Sequence, residues 1–373
     1  MSAPRIEVDL SKIRHNTQTV VQALNARSIG VTGVTKAVCG RPAIAQAMLD
    51  GGATGLAEAR LSNVKRLRKA GLLCPITLIR TPMLSQVDEV VQFCEASYNT
   101  EFAVITALAA AAIRHDRVHD IILMVEMGDN REGIMPAELA AIAQRMVDLP
   151  GVALKGIGAN FACLTGVAPN AAKMEALSAL ATEVERQCGP FLQTVSGGNS
   201  ANLPWAFGGH PTGRINDLRL GEAILLGVDP LSGGRIDGMY TDAFTLVAEV
   251  IEANNRSVLL PQSSASPALA LHLIAPKGED PTRLILALGH QDTNILGLLM
   301  PDGTTFIGAT SDQLVIGTTL PSMSVGSVVR FQMTYSALMQ AMAAPDIKIS
   351  MLHDHQMPGG RNADVIRKHL EIV

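Results

Sequence analysis

Lys36 is the residue whose position points most directly to chemistry. It follows a short, glycine-interrupted run of β-branched residues, 29–35, which is typical of a strand buried inside a sheet. Pro42 then opens a predicted helix that ends at Gly51. Functional groups collect at the carboxyl ends of strands in α/β folds, and a lysine there is a candidate amine nucleophile for a Schiff base. The alternative is a lysine whose charge reaches solvent at the strand end.

Four further polar clusters stand out: three follow the fifth, sixth and seventh predicted strands, and the eighth predicted strand carries the fourth. They span residues 126–133 with Arg131, 158–163 with Asn160, 196–202 with Ser200, and 219–222 with Arg219, Gly221 and Glu222. The third cluster, Ser196-Gly-Gly-Asn-Ser200, combines glycines that allow close backbone approach with hydroxyl donors, as a phosphate site requires. A glycine-rich turn with solvated polar side chains would explain the same residues.

Strands and helices alternate through the first two thirds of the chain. Segments with apolar residues at three- and four-residue spacing separate eight short apolar runs. These runs are 29–35, 55–57, 75–79, 96–99, 121–127, 154–161, 193–196 and 218–226. This pattern predicts an α/β fold, a (β/α)8 TIM-type barrel, whose strand ends would bring the polar clusters to one mouth.

The sequence pattern changes at a turn-rich link, residues 229–238. From there to about residue 350, short strand-like runs with few helical patterns predict a C-terminal β-rich domain. The runs are 243–251, 257–260, 269–274, 283–288, 305–307, 313–316 and 327–334. We expect residues 1–10 to form a strand that joins this β-domain, 11–235 the barrel, 236–350 the β-domain and 351–373 a polar tail.

Composition argues against several classes of function. With 30 basic and 34 acidic residues among 373, the chain has no excess of positive charge, so we expect no nucleic-acid partner. No apolar run reaches the ~18 residues of a membrane span, and the N-terminus lacks the apolar core of a signal peptide. We therefore expect a cytoplasmic protein without a membrane partner. Five cysteines without a Cys-x-x-Cys pair fit reduced thiols.

A strand-end lysine opposite a phosphate site matches the needs of pyridoxal 5′-phosphate (PLP), whose aldehyde bonds a lysine while its phosphate anchors the ring. From residue 8 to about residue 335, the chain resembles the alanine racemase family of fold-type III PLP enzymes, and within it the ornithine racemase-like branch. The motifs that carry this resemblance are Val34-Thr-Lys36-Ala, Gly128-Asp-Asn-Arg131-Glu-Gly133-Ile, Gly156-Ile-Gly-Ala-Asn160-Phe-Ala, Ser196-Gly-Gly-Asn-Ser200, Ile215-Asn-Asp-Leu-Arg219-Leu-Gly221-Glu222-Ala and Ala287-Leu-Gly-His290-Gln-Asp292. The resemblance implies a PLP-dependent amino-acid racemase, with ornithine or another basic amino acid as the expected substrate.

The resemblance also implies a role for each matching residue. Lys36 would hold the cofactor and act as an acid/base on one face of its ring, and Arg219 would face the pyridine nitrogen. The other cofactor contacts would be Arg131 near the phenolic oxygen, Asn160 beside the ring, and Ser200, Gly221, the Glu222 backbone and Tyr335 on the phosphate.

Two positions depart from the family's pattern. Asn160 stands where alanine racemases carry a histidine near the ring. The second base of those enzymes is a tyrosine from the partner subunit, and His290 stands in its place here. Histidine is a common general base, so we expect His290 to act on the opposite face from Lys36. The alternative is a histidine without a proton-transfer role. The resemblance further implies a homodimer with shared active sites.

Two other functions remain open. Some enzymes of this fold type, the D-serine dehydratases and D-threonine aldolases, use a divalent metal, for which His353 and His355 are a possible ligand pair. Two solvated histidines in a polar tail explain the same residues, and we expect no metal. The other alternative is a non-catalytic PLP-binding protein, but such proteins are single barrels, so the predicted second domain favours an enzyme.

The identity of the substrate is the least determined point. Glu222, Asp292 and Asp312 are candidate carboxylate partners for a substrate's side-chain ammonium. Each could equally be a structural hydrogen-bond acceptor.

Overall fold

A computed structural model of the chain describes residues 2–189, 191–254, 282–320 and 323–352. Within these ranges the chain forms a closed barrel of eight parallel strands and a second, mostly antiparallel sheet of eight strands. The predicted fold class, a (β/α)8 barrel followed by a β-rich domain, is thereby confirmed. The predicted strands 257–260 and 269–274, and the tail from residue 353, lie outside the described residues.

The barrel is built from short, buried strands whose neighbours in sequence are also neighbours in space. The last strand pairs with the first in parallel and closes the barrel. After β1 (Arg5–Asp9), the barrel strands are β2 (Gly30–Val34), β3 (Gly55–Glu58), β4 (Ile76–Leu78), β5 (Ala96–Asn99), β6 (His119–Val125), β7 (Val152–Ala159), β8 (Thr194–Ser196) and β9 (Asp217–Leu220).

Helices cover the outside of the barrel, each with its apolar stripe turned inward. In the third helix, for example, Leu61, Val64 and Leu67 are buried while Arg66 and Lys69 are exposed. The helices are α1 (Leu10–Asn25), α2 (Pro42–Asp50), α3 (Leu61–Lys69), α4 (Val87–Phe93), α5 (Phe102–Arg114), α6 (Pro136–Val147), α7 (Ala171–Cys188), α8 (Leu203–Phe207) and α9 (Glu222–Leu226). None of the helices in the described ranges is both long and apolar enough to span a bilayer.

The predicted eighth strand, 218–226, was too long. The strand β9 ends at Leu220, and residues 222–226 form the short helix α9. Residues 223–226 are all buried, and an apolar run of this length does not distinguish a strand from a buried helix by its periodicity. This correction places Glu222 at the first position of a helix.

The second sheet combines the N-terminal strand with strands that follow the barrel. The elements after the barrel are β10 (Phe244–Asn254), β11 (Thr282–Leu286), β12 (Leu298–Leu299), β13 (Thr304–Ala309), β14 (Leu314–Thr318), β15 (Val328–Met333), α10 (Tyr335–Ala343) and β16 (Lys348–Leu352). The main path of the sheet runs β12-β15-β10-β11-β14-β13, and β1 pairs antiparallel with β10 and parallel with β16.

One helix of the second domain reaches the barrel. Helix α10 begins at Tyr335 and packs against the 3-10 turn Lys36–Val38, which follows β2. The sequence pattern showed few helical signals in this domain and did not predict α10. The contact brings Tyr335 to the mouth of the barrel, beside Lys36.

Candidate active site

A cavity of about 760 Å³ lies at the carboxyl ends of the barrel strands. Eight of the nine predicted site residues line it: Lys36, Arg131, Asn160, Ser200, Arg219, Gly221, Glu222 and Tyr335. These residues come from five strand ends and from α10, so only the folded barrel brings them together. His290 is not among the lining residues of its own chain.

Lys36 occupies the first position of a tight turn rather than the last position of a strand. Strand β2 ends at Val34, and the 3-10 turn Lys36–Val38 begins two residues later. The turn closes at Cys39, which has a left-handed backbone with φ of 53°. The Thr35 N–H donates to the Ala57 carbonyl, which ties the start of the turn to β3. The backbone that carries the lysine is therefore held on both sides.

Glu58 lies directly behind this turn and is fully buried. Its Oε1 accepts a hydrogen bond from the Thr35 hydroxyl at 2.8 Å, and its Oε2 accepts from Ala59 N at 3.0 Å and Asn63 Nδ2 at 3.1 Å. Burial raises the pKa of the Glu58 carboxyl, although these hydrogen bonds act in the opposite direction. Glu58 thus fixes the residue that precedes Lys36.

Arg219 projects from β9 and is only 4% exposed. Its Nη1 donates to Tyr98 Oη at 3.0 Å and to Ser196 Oγ at 2.6 Å, and its Nη2 donates to the Ala159 carbonyl at 2.8 Å. The guanidinium carbon also lies 4.5 Å from the centre of the Tyr98 ring. A guanidinium has five N–H donors, so Nε and one hydrogen of Nη2 remain for an acceptor in the cavity.

A carboxylate supports Arg219 through one intervening hydroxyl. Ser196 Oγ donates to Asp217 Oδ2 at 2.5 Å, and Asp217 Oδ1 accepts from the Thr32 hydroxyl at 2.7 Å. Ser196 therefore accepts from Arg219 and donates to Asp217 at the same time. The arrangement orients the guanidinium, and no carboxylate in the described part of the chain forms an ion pair with it.

Asn160 is held by a second buried network. Its Nδ2 donates to Asp129 Oδ2 at 2.9 Å, while Asp129 Oδ1 accepts from the N–H groups of Cys163 and Leu164 at 2.9 and 3.0 Å. Burial opposes ionisation of Asp129, but these hydrogen bonds outweigh it and lower the pKa of the carboxyl. Asn199 Nδ2 adds a bond to the Phe161 carbonyl at 2.8 Å. The loop after β7 is thereby fixed.

Arg131 is paired with its neighbour in sequence. Arg131 Nη2 donates to Glu132 Oε1 at 2.5 Å, and its Nε donates to Glu132 Oε2. Partial burial works against the charge of Arg131, yet the Glu132 carboxylate raises the pKa of the guanidinium. The positive charge of Arg131 is therefore already compensated in this conformation.

The predicted phosphate site lies where β8 and β9 end. Ser200 Oγ accepts from Ala223 N–H at 3.2 Å, which leaves the hydroxyl proton free to be donated. At Gly221 an added Cβ would lie 3.1 Å from the Val34 Cβ, so a larger residue would require Val34 to shift by a few tenths of an ångström. Burial and the nearby Glu222 charge raise the pKa of the Tyr335 phenol, which therefore remains a hydrogen-bond donor.

His290 lies in the second domain, after β11. Its backbone N–H donates to the Thr310 carbonyl at 3.0 Å. Among the residues that the structure describes, none forms a hydrogen bond with its buried Nε2. The turn depends on Gly289, because a Cβ there would lie 2.3 Å from the Ser311 carbonyl oxygen. Within one chain, His290 is thus separate from the cavity that holds Lys36.

Three buried residues of the site were missed by the sequence interpretation: Glu58, Tyr98 and Asp129. Tyr98 and Glu58 lie in or at the end of predicted strands, so the rule that selected Lys36 could have flagged both. Asp129 stands inside a motif that was singled out for Arg131 alone. Their hydrogen-bond partners come from other strands and are not visible in any local pattern.

The predicted metal ligands cannot be placed in this site. No three His, Cys, Asp or Glu side chains gather as a metal-binding group within the described ranges 2–189, 191–254, 282–320 and 323–352. His353 and His355 lie outside those ranges.

Comparison with known proteins identifies the family. The model of the alanine racemase N-terminal domain matches residues 8–230, which is more than half of the chain. The chain belongs to the alanine racemase family. This family member is 34% identical to a lysine racemase of Thermotoga maritima, over 93% of this chain and 98% of the relative. It is also 31% identical to an ornithine racemase of Acetoanaerobium sticklandii, over 94% of this chain and 99% of the relative.

A solved structure supports the fold independently. The alanine racemase of Clostridium difficile 630 in complex with cycloserine superposes with a TM-score of 0.74 and covers 95% of this chain and 97% of that one. At 14% identity, this likeness shows a shared architecture and no more. The resemblance to the ornithine racemase-like branch therefore rests on the lysine and ornithine racemases.

The Glu58 geometry predicts a pH dependence of stability. Because burial raises the carboxyl pKa above its ordinary value, the folded chain binds more protons than the unfolded chain. The stability that Glu58 contributes is thus complete below the unfolded pKa and is lost as pH rises through the folded pKa. We expect the difference in unfolding free energy between wild type and Glu58→Gln to shrink between about pH 5 and about pH 8.

Urea denaturation at each pH provides this measurement, with Glu138→Gln, an exposed position on α6, as the control. A difference that grows with pH would show that Glu58 is ionised and stabilising in the folded chain.

Proposed function

We propose that this family member is a PLP-dependent racemase of a basic amino acid, ornithine or lysine, which moves the α-proton with two bases. The coarser statement, that the chain is an amino-acid racemase, rests on the lysine and ornithine racemases that align over more than nine tenths of it. The observation that carries the proposed cofactor is the presence of the Lys36 side chain and the buried Arg219 guanidinium in one cavity. The basic substrate is proposed from the same two relatives.

The residues of the cavity fit the cofactor. An aldehyde needs an amine, which Lys36 offers, and a pyridine nitrogen needs a donor, which the unused N–H groups of Arg219 offer. A phosphate needs several donors together with close backbone approach. The Ser200 hydroxyl, the Tyr335 phenol and the backbone at Gly221 meet that need.

Each protein group then has a defined task. Bound PLP would withdraw electrons from the substrate's α-carbon and so make its proton acidic. Arg219 would donate a hydrogen bond to the ring nitrogen and keep its own proton, because a guanidinium stays charged at any ordinary pH. The cofactor would then withdraw electrons only moderately, which would favour return of the proton to the α-carbon. Lys36 removes or returns this proton on one face.

The face of the cofactor opposite Lys36 requires a second base. His290 of the same chain does not line the cavity and cannot be that base. We propose that His290 reaches the site from a second copy of the chain. Leu296 and Leu299, which follow His290 in the second domain, are 68% and 52% exposed, and exposed leucines of this kind favour a protein contact. On this proposal residues 11–235 form the cofactor-binding unit, and residues 236–350 with 1–10 form the unit that completes the partner's site.

The first prediction of this proposal concerns the reaction itself. The PLP-loaded chain should exchange the α-proton of ornithine or lysine in D₂O with loss of optical purity, while Lys36→Ala should lose this exchange by at least about a hundredfold, since general acid–base catalysis contributes on that order. NMR and polarimetry over a panel of L- and D-amino acids provide the measurement, with and without a chelator.

Exchange that needs a metal, or a keto-acid or aldehyde product, would contradict the racemase and favour the metal-dependent branch of the fold. Absence of exchange for every amino acid would favour a role in cofactor binding.

The second prediction concerns the shared site. Lys36→Ala and His290→Ala chains should each be inactive, but a mixture that exchanges subunits should regain about a quarter of wild-type activity. Half of the dimers are then mixed, and each contains one site with both bases intact.

This experiment separates two arrangements by outcome. If His290 served Lys36 within its own chain, the mixed dimers would contain no complete site and the mixture would stay inactive. An active His290→Ala chain on its own would remove His290 from the mechanism.

A further inference from the structure

We infer that Glu222 binds the side-chain ammonium of the substrate and thereby selects basic amino acids. The inference rests on the proposed function and adds a specificity-determining residue to it. It follows from the geometry of the carboxylates in and around the cavity, of which Glu222 alone is left without a hydrogen-bond partner among the described residues.

Glu222 lies in the cavity but not in any of its hydrogen-bond networks. It is the first residue of α9, its side chain is half-buried, and it lines the cavity beside Lys36 and Tyr335. Burial raises the pKa of its carboxyl, the charge of Lys36 acts against that rise, and the charge of Asp229 adds to it. A partly buried carboxylate in this state is stabilised by an added cation.

The other carboxylates near the cavity are already engaged. Glu58 accepts three hydrogen bonds, and Asp129 accepts another three from Asn160 and the following loop. Asp217 is bound by Thr32 and Ser196, and Glu132 is paired with Arg131. Recruiting any of them to a substrate would break an existing network.

The two carboxylates of the second domain are also engaged. Asp292 Oδ2 accepts from the Gly289 N–H at 2.8 Å, and Asp312 Oδ1 accepts from the hydroxyls of Thr310 and Ser311 at 3.2 and 3.1 Å. Neither residue lines the cavity of its own chain. Of the three carboxylates that the sequence offered, the structure therefore favours Glu222.

The surroundings suit an aliphatic chain that ends in a cation. Val34, Pro230 and the Tyr335 ring line the same cavity and can contact methylene groups. An ammonium at the end of such a chain would form a charge-assisted hydrogen bond with Glu222. A neutral side chain of equal length would leave the carboxylate buried and unpaired, which disfavours its binding.

The test compares ornithine with norleucine, which has a methyl group in place of the ammonium and otherwise the same shape. The readouts are kcat/KM for each amino acid and the dissociation constant from the change in cofactor absorbance. In the PLP-loaded enzyme, Glu222→Gln should lower the ornithine-to-norleucine ratio about 10- to 100-fold, the value of a hydrogen bond to a charged group. Effects on cofactor binding cancel in the ratio.

Two further variants make the result specific. Glu138→Gln removes an exposed carboxylate on α6, outside the cavity, and should leave the ratio near the wild-type value. Glu222→Asp keeps the charge on a shorter side chain and should give an intermediate ratio. If Glu222→Gln does not bind PLP, the comparison is made with Glu222→Asp instead. An ornithine-to-norleucine ratio at or above the wild-type value in that variant would overturn the inference.

The remaining outcomes distinguish this inference from the proposed function. A wild-type enzyme that racemises ornithine while the Gln variant keeps the same ratio refutes the role of Glu222 and leaves the racemase standing. Equal wild-type activity on ornithine and norleucine would also refute the role of Glu222 and leave the racemase proposal standing. Absence of exchange for both amino acids and for lysine refutes the proposed function itself, and the inference with it.

Discussion

The buried guanidinium of Arg219 is the constraint on which the site depends. A guanidinium cannot escape the cost of burial by losing its proton, so the fold must supply hydrogen-bond acceptors in fixed positions. Those acceptors come from three other barrel strands, at Tyr98 on β5, Ala159 on β7 and Ser196 on β8. The closed barrel is therefore what makes this charge tolerable at the end of β9. In the proposed mechanism, the same fixed charge is what moderates the cofactor.

The other half of the cavity is fixed by a different group of contacts. Glu58 holds Thr35, and α10 of the second domain packs against the turn that begins at Lys36. Lys36 and Arg219 are thus positioned by separate groups of contacts, and the Thr32–Asp217 hydrogen bond between β2 and β9 connects the two. Tyr335 joins the site because the second domain is anchored on the Lys36 turn. A cofactor bound between these networks would be held at both its aldehyde and its ring nitrogen.

The sequence predicts the barrel and the second domain well, but it does not predict the hydrogen-bond networks around the cavity. Alternation of apolar runs predicts the barrel, since periodicity reports which face of an element is buried. It fails at residues 222–226, where an apolar run buried on all sides has no period to reveal a helix. Lys36 could be selected because it follows a predicted strand, and the family motifs supplied the residues around it. The partners of Arg219, by contrast, lie 23 to 121 residues away in sequence and are set by the register of other barrel strands, which no local pattern encodes. The proposed role of His290 could not be deduced from the fold of a single chain, because within its own chain His290 does not line the cavity.

The central claim is that Lys36 bonds the cofactor in the cavity that Arg219 faces. Reduction of the PLP-loaded protein with borohydride, followed by proteolysis and mass spectrometry, tests it most directly, because it identifies the lysine that carries the phosphopyridoxyl group. The account predicts one label per chain, on Lys36. A label on a different lysine, or one spread over several surface lysines with Lys36 unmodified, would contradict it.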